Sequence, residues 1–412
     1  QRDIVTPHVV FGGKNPHPHY TVGGMPCAIS MDDMNAPINS ARLAVVDESI
    51  SLAKDLVDYF YLPDVLAIGQ IYVKAGMVDG GGLSKRRVLA YGGYPDEPYK
   101  NIHDGDYFQK SVVRASGVVE DFEKGVAAAK FTPLDGKTLM DPKFVSEEIE
   151  HSWYEYPSNT KSLNPSEGIT KPNYTGPKTG TKEHWEYLDE AKKYSWIKSP
   201  TFQGKACEVG PLAKYIVVYT KVKQGILKNP TWAENMMVRQ IDTVSSVLGV
   251  PAHVWMCSTI GRTACRALDA QVAANMSRYF FNKLVTNIKN GDTSVANMKN
   301  FDPNTWPKEA KGVGILDAPR GALGHWCVIK DGKIANYQCI VPTTWNACPR
   351  TMANEHGAYE SNMIDTKVKV PDKPLEILKG IHSFDPCLAC ATHLYNKKGE
   401  EIVSVNTDAL CK

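Results

Sequence analysis

The chain has 412 residues, of which 42% are hydrophobic and 22% charged, so it contains enough apolar material for a globular core. Its 47 basic and 45 acidic residues give a formal charge of +2, which excludes charge-driven binding to nucleic acid as an expected function. No run of about 18 apolar residues occurs, and we therefore expect no membrane-spanning helix in the chain.

The first predicted helix follows a start that is rich in glycine and proline. Its apolar residues recur three or four positions apart and share one face: Leu43, Val46, Ile50, Ala53 and Val57. Residues 61–72 are apolar and partly rich in β-forming side chains. Residues 133–193 are polar, with many proline, glycine, asparagine and lysine residues and no clear period. This segment is predicted to run over the surface without forming a second core.

Two further helices have clear predicted ends. One begins at Pro230-Thr231 and runs to about Leu248, where Gly249 stops it. The other runs from Ser258 to Lys289, with Leu268, Val272, Met276 and Tyr279 on one face. At about 32 residues it is long for a globular helix, which predicts a central element of a helix bundle.

A change of period after residue 317 predicts a small β portion. Residues 327–330 and 333–340 form a predicted hairpin, because Asp331-Gly332 suits a type I′ turn. Loops are predicted on both sides of it, at 317–321 and 341–346. The predicted fold class is therefore α+β and rich in helix, with a central long-helix bundle and small hairpin or sheet portions.

The ten cysteines are scattered except for Cys387 and Cys390, which are followed by His393. A redox-active pair of the thioredoxin type should lie between a strand and a helix, and the surrounding sequence predicts no such unit. A structural zinc site commonly needs two spaced pairs, and the chain has no second C-x-x-C. Two buried thiols are the simplest alternative. A site for a soft or borderline metal also fits, because two thiols three residues apart can face one centre.

The segment from His382 to His393 contains D-P-C-L-A-C-A-T-H and resembles the C-terminal metal motif of the large subunit of nickel–iron hydrogenases. The resemblance is to the uptake, membrane-associated type, and it implies that family's fold and a catalytic role in the reversible heterolytic oxidation of H2. Further segments resemble the family in the same order along almost the whole chain: Phe11–His17, Val22–Gly24, Ser199–Phe202, Glu208–Leu212, Ala318–Gly321, His325-Trp326, Asn336–Gln338 and Val341–Asn346.

The resemblance implies a set of metal ligands. Cys387 would be a terminal nickel ligand, and Cys390 would bridge nickel to an iron that carries cyanide and carbon monoxide. Thiolate ligands suit a nickel ion that changes its oxidation state. His393 would help to hold Mg²⁺ together with the backbone carbonyl of Cys339. Taken alone, His393 would be an ordinary surface residue.

The resemblance also implies a pocket around the iron. Arg320 and Thr343 match positions that donate hydrogen bonds to cyanide, and Pro319, Leu323 and Pro342 would line the pocket. Without the resemblance, Thr343 is a turn residue.

Heterolytic cleavage of H2 requires a group that takes hydride and a base that takes the proton. Arg320 is expected to lie over the open position of the metal pair, close to Asp385. An arginine with a pKa above about 12 is a poor base, so an electrostatic role is the stronger interpretation. Proton acceptance by Arg320 remains a hypothesis, with the Cys387 thiolate as the other candidate. The alternative without the resemblance is a surface arginine paired with Asp317.

Two features depart from the family pattern. The family's early R-x-C-G-x-C motif is absent, and Cys27 has no partner three residues away. The chain also starts at Gln1, and it is therefore expected to be N-terminally incomplete and inactive by itself. Residues 394–412 resemble the tail that a maturation endopeptidase removes, although they could be an ordinary terminal strand. The predicted division is a single catalytic domain over 1–393 and a cleavable tail over 394–412.

The remaining expectations concern partners, location and competing functions. An iron–sulfur small subunit, a maturation endopeptidase and nickel chaperones are expected partners, with a membrane cytochrome b as a further candidate. The protein is expected on the periplasmic side of the cell membrane, exported with its partner subunit. The competing functions are an electron-transfer subunit like that of respiratory complex I, which shares the fold without nickel, and a noncatalytic metal-binding scaffold.

Overall fold

The computed structural model describes residues 3–19, 24–98, 102, 105–175, 191–387, 391–395 and 401–406. The chain divides into two compact units, one made of residues 1–68 and 267–308 and the other of residues 69–266 and 309–412. Helices and small antiparallel sheets together form the structure, which confirms the predicted α+β class. Among the described residues no helix is both long and apolar enough to cross a membrane.

The helices vary from four to 31 residues in length. A single π-helical turn, Val57–Tyr61, separates the second from the third. In chain order they are α1 (Thr6–Gly12), α2 (Ser40–Leu56), α3 (Leu62–Lys74), α4 (Leu83–Arg86), α5 (Asp106–Gln109), α6 (Gly136–Met140), α7 (Pro211–Lys223), α8 (Trp232–Leu248), α9 (Ala252–Met256), α10 (Thr259–Lys289), α11 (Pro342–Asn346), α12 (Ala358–Ile364) and α13 (Leu375–His382).

The predicted ends of the two long helices are confirmed. Thr231 caps α8, because its hydroxyl accepts from the backbone N–H of Glu234 while the Glu234 carboxylate accepts from the backbone N–H of Thr231. Gly249 ends this helix in the left-handed conformation. Helix α10 starts one residue later than predicted and ends at Lys289 as predicted.

Within the described part of the chain, the strands form five small antiparallel sheets. Their orders are β1-β2-β3, β6-β4-β8, β5-β7, β11-β10-β9 and β12-β13. The strands are β1 (Arg87–Pro95), β2 (Ser111–Glu120), β3 (Lys130–Thr132), β4 (Val145–Glu148), β5 (Tyr154–Glu155), β6 (Ser162–Leu163), β7 (Lys171–Pro172), β8 (Ser199–Phe202), β9 (Glu309–Ala318), β10 (Gly321–Lys330), β11 (Lys333–Ile340), β12 (Ala391–Tyr395) and β13 (Glu401–Asn406).

The first unit has a core of its own. Cys27, Ile38 and Leu43 are buried there, and Phe281 and Leu284 from α10 pack against them. The predicted apolar face of α2 is confirmed at Leu43, Val46 and Ile50, which are all buried. This unit contains none of the predicted site residues.

The second unit has a larger core and holds every predicted site residue. Its centre contains Tyr91 from β1, Phe202 from β8, Trp326 from β10 and Trp345 from α11. The indole of Trp326 donates to the carbonyl of Leu139, so even its polar atom is satisfied inside. This core fixes the ends of β9, β10 and α11, where Arg320 and Thr343 lie.

The prediction that residues 133–193 stay on the surface is wrong. Leu134, Leu139 and Val145 belong to the core of the second unit. Asn164 is fully buried, and its amide donates to the carbonyls of Leu139 and Val145. Polar composition predicts exposure, but a side-chain amide that satisfies buried carbonyls can lie inside at little cost.

Residues 62–74, whose apolar and partly β-forming composition decided no element, form helix α3. Two local predictions also need correction. The segment after the hairpin, predicted as loop, contains the one-turn helix α11. Strand β9 precedes the predicted hairpin and makes the sheet three-stranded. The alternating exposure of β9 is the period-two pattern that identifies such a strand.

Candidate metal centre

Arg320 lies in the tight turn between β9 and β10, and Gly321 shapes this turn. Gly321 has φ 117°, which disfavours any residue with a Cβ. A Cβ at Gly321 would lie 2.3 Å from the backbone nitrogen of Gly210 and 2.7 Å from its Cα. The turn therefore packs directly on the backbone just before α7. That contact explains the glycine at 321, whereas at Gly210 it is φ 142° that disfavours a Cβ.

Replacing Gly321 by alanine is expected to lower the free energy of unfolding by about 3 kcal/mol, because both the backbone angle and the contact with Gly210 would be strained. Urea unfolding followed by circular dichroism measures this. Gly314→Ala is the matched control, since Gly314 lies in β9 of the same sheet with no atom within 4 Å of the added Cβ. Equal stability of the two variants would contradict this account of the turn.

Arg320 and Asp385 are brought together across 65 residues of sequence. The Nε atom of Arg320 donates to the backbone carbonyl of Asp385 at 2.8 Å and lies 3.2 Å from its carboxylate Oδ2, while a terminal nitrogen donates to Oδ1 at 3.3 Å. Both side chains are somewhat more than one-third exposed, at 37% and 39%. Asp385 has φ 57°, a left-handed conformation that aspartate tolerates better than most residues.

Arg320 pairs with Asp385, and the alternative pairing with Asp317 is wrong. The two carboxylate oxygens of Asp317 accept from the backbone N–H groups of Tyr91 and Gly92, at 3.1 and 2.8 Å. Asp317 thus ties the end of β9 to β1, and Arg320 is directed to Asp385.

Thr343 connects the first turn of α11 to the cysteine motif. It is 7% exposed, and its hydroxyl oxygen accepts from the backbone N–H of Cys387 at 3.3 Å. Helix α11 is itself anchored by Asn346, whose side chain accepts from the N–H of Val209 and donates to the carbonyl of Val209. A threonine oxygen that accepts here still has its own proton to donate.

The described thiols of the second unit differ in exposure, with Cys265 buried and Cys327 half-buried. Cys207, Cys257 and Cys348 are buried, and burial raises the pKa of Cys207 and of Cys257 to about 12. Such thiols stay protonated and are poor metal ligands. Cys387 is exposed beside the Arg320–Asp385 pair, and Cys339 is exposed on β11. Of the described thiols, Cys387 is therefore the one whose position suits a metal bound at this site.

The other predicted residues are placed as follows. Pro319 is exposed, Leu323 is half-buried and Pro342 is buried. Cys390 lies outside the described residues, and His393 is described only as part of the backbone of β12. Among the described side chains, no three histidine, cysteine, aspartate or glutamate groups could together hold a metal ion. The described residues therefore fit one part of a thiolate metal centre, which Cys390 would extend.

Glu208 belongs to a segment that resembles the family, but the sequence assigns it no role, and nothing in the sequence analysis identifies Arg262. They form a buried ion pair, with 1% and 3% of their side chains exposed. The signal that could have found the pair is an arginine in a helix turn otherwise made of small and apolar residues, since an arginine there needs a buried acceptor.

The structure is a mixed helix-and-sheet protein in which Arg320 contacts Asp385 and Thr343 contacts Cys387 at one site. Residues 1–393 match the family model described as nickel-dependent hydrogenase, and the chain belongs to that family. It is 46% identical over 409 residues to the uptake hydrogenase large subunit of Rhizobium leguminosarum bv. viciae. It is 44% identical over 410 residues to the hydrogenase-1 large chain of Escherichia coli (strain K12). Each match covers 98% of this chain and 64% of the relative, so the chain spans less than two-thirds of their length.

Solved structures agree on the fold. The H2-activated [NiFeSe]-hydrogenase of Dm. baculatum matches with a TM-score of 0.62 and 25% identity, over 92% of this chain and 64% of that chain. The as-isolated, oxidized Ni-Fe-Se hydrogenase from D. vulgaris Hildenborough has a TM-score of 0.62 and 24% identity, over 92% of this chain and 65% of that one. The prediction of a hydrogenase large-subunit fold is confirmed.

Proposed function

We propose that this chain is part of the catalytic subunit of a nickel–iron hydrogenase that oxidises H2 heterolytically. Family membership supports the reaction class. The observation that carries the proposal is the convergence of Arg320, Asp385, Thr343 and Cys387, which come from three distant segments. The competing functions, a nickel-free electron-transfer subunit and a noncatalytic scaffold, would leave the arginine and the exposed thiol without a substrate.

Cys387 and Cys390 would hold a nickel–iron pair through their thiolates, with cyanide and carbon monoxide on the iron. When bound, this group would supply an acceptor for an electron pair and a path for electrons out of H2. Thiolates are donors that nickel binds well. Two further ligands would have to come from outside this sequence, because no other C-x-x-C occurs in it.

The chain's own residues would orient and charge the site. Two contacts from Nε and one from a terminal nitrogen fix the guanidinium of Arg320 on Asp385. Because arginine stays protonated, it would keep a positive charge beside the reacting H2 and stabilise developing negative charge. The released proton would pass to the Sγ atom of Cys387. The other hypothesis, acceptance by Arg320, requires a guanidinium that has first lost its own proton. Through its hydrogen bond to the backbone N–H, Thr343 would hold Cys387 at a fixed position relative to α11.

A magnesium ion bound by the Cys339 carbonyl and His393 is the second proposed metal. Lys198 pairs with Glu147 and lies 3.4 Å from the side-chain oxygen of Gln338, the neighbour of Cys339. The Oε1 atom of Glu147 is buried without a hydrogen-bond donor among the described residues. Burial raises the pKa of Glu147, and the Lys198 charge opposes this. Because Lys198 already neutralises Glu147, the magnesium proposal rests on the resemblance of Cys339 and His393 to the family positions.

The remaining proposals concern partners and place. The relatives are named large subunit or large chain, which supports pairing of this chain with an iron–sulfur small subunit. A maturation endopeptidase and nickel chaperones would act on the precursor, and the tail 394–412 would be removed. The protein would lie on the periplasmic side of the cell membrane, exported with its partner subunit, and a membrane cytochrome b would accept the electrons.

H2-dependent reduction of a redox dye by the complete protein, purified with its partner subunit, tests the proposed activity. We expect reduction that requires H2 and is lost when nickel is withheld during growth. A folded, nickel-free protein without this activity would favour the electron-transfer subunit. Zinc in place of nickel after both aerobic and anaerobic expression would favour the scaffold.

A further inference from the structure

We propose that Arg262, Arg266 and Phe384 are positioning residues that hold the segment carrying Asp385 and Cys387, so that the metal stays bound. This inference rests on the proposed function and assigns roles to residues that contact neither metal nor substrate. The two arginines lie four residues apart in the first turns of α10, and they act on the two residues directly before Asp385.

All five N–H donors of Arg262 are used. Nε and one terminal nitrogen donate to the two carboxylate oxygens of Glu208 at 2.6 and 2.9 Å. The remaining donors reach the carbonyls of Gly80 and Gly81 at 2.7 and 2.8 Å and the side-chain oxygen of Asn362 at 3.0 Å. A guanidinium with every donor satisfied cannot rotate without losing contacts, so its plane is fixed.

The fixed guanidinium lies against the ring of Phe384. Its central carbon is 4.0 Å from the ring centroid, within the range of a cation–π contact, and Phe384 is 3% exposed. On other sides the ring packs with Leu83, Ala206 and Tyr359. Phe384 is therefore held by its apolar neighbours and by the guanidinium of Arg262, whose orientation is fixed.

Arg266 holds Ser383, the residue directly before Phe384. A terminal nitrogen of Arg266 donates to the backbone carbonyl of Ser383 at 2.7 Å, and the Ser383 hydroxyl donates to the carbonyl of Gly380 at 2.6 Å. Between Phe384 and Cys387 lie only Asp385 and Pro386. Proline locks its own φ, and Asp385 is held by Arg320, so little freedom remains between the anchor and the thiol.

If Arg262 only filled space in the core, burying its charge would cost free energy without serving a purpose. Burying an arginine with a glutamate costs desolvation that apolar side chains of similar volume avoid. Fixing the orientation of the Phe384 ring is a role that accounts for this desolvation cost. We therefore expect that loss of the cation–π contact or of the Ser383 contact speeds release of the metal by more than the accompanying loss of fold stability explains.

The test uses Phe384→Leu and Arg266→Met in the complete protein purified with its partner subunit. The leucine keeps apolar volume and removes the π face, and the methionine keeps the stem and removes the donor. Phe122→Leu is the matched control, because Phe122 is 1% exposed in the same unit and packs edge-on against Tyr219. Nickel per protein, the rate of nickel release to a chelator, and Tm are measured for each.

We expect Phe384→Leu and Arg266→Met to release nickel at least about threefold faster than the parent, whereas Phe122→Leu releases it at the parent rate despite a similar drop in Tm. Equal release from Phe384→Leu and the parent, or equally fast release from the control, would overturn the inference and leave the proposed function standing. A parent protein that is folded but holds no nickel would overturn both. If Arg266→Met does not fold, Arg266→Lys, which can still reach the carbonyl, is expected to restore nickel retention.

Discussion

Replacement of Cys387 by serine is expected to leave the complete protein folded with less than about a tenth of the parent's nickel. Serine is a hard oxygen donor with a pKa far above that of a thiol, so it is a poor substitute for a thiolate that binds nickel. The fold should survive, because the Cys387 side chain is exposed and its contact to Thr343 uses the backbone N–H. Metal analysis and circular dichroism of the purified variant measure the two effects.

Cys339→Ser is the control for this experiment. Cys339 is also an exposed thiol of the second unit, and the substitution keeps its backbone carbonyl. We expect parent-level nickel in Cys339→Ser. Parent-level nickel in Cys387→Ser would show that the thiol of this motif is not a nickel ligand.

Replacement of Arg320 by lysine is expected to lower kcat/KM for H2 about 100-fold while nickel content stays at the parent level. Lysine keeps the charge but presents one compact donor, whereas Arg320 contacts the carbonyl and both carboxylate oxygens of Asp385. The charge would therefore no longer be held in one place. H2-dependent dye reduction over a range of H2 concentrations separates kcat from KM.

The control is Arg278→Lys, which changes a half-buried arginine paired with Asp47 in the first unit. Its activity should match the parent. Unchanged H2 oxidation by Arg320→Lys with nickel fully loaded would remove Arg320 from the mechanism and leave Asp385 and Cys387 as the acting groups.

The sequence predicted the parts of the fold that depend on local signals. Helices α8 and α10 were found within one or two residues, because caps, glycine stops and three-to-four spacing act within a few turns. The β10–β11 hairpin followed from Asp331-Gly332. Strand β9 pairs with the neighbouring β10 and was missed although its alternating pattern is a local signal. The burial of Leu134, Leu139 and Val145 depends on packing against distant segments, which no local pattern encodes.

The candidate site shows the same division. The resemblance named Arg320, Thr343 and Cys387, and the structure brings these three together with Asp385. It does not describe Cys390 or the side chain of His393, so their predicted roles stay predictions. The Glu208–Arg262 pair was missed as a contact, because its two halves lie 54 residues apart and neither has a sequence feature that specifies the other.

The central claim is that the segment from Asp385 to Cys390 holds nickel. Nickel measured by mass spectrometry in the complete protein, purified anaerobically with its partner subunit from nickel-supplied cells, tests it most directly. The structure and the family predict about one nickel per large subunit. A folded complex that contains no nickel, or that contains zinc in its place, would contradict the claim.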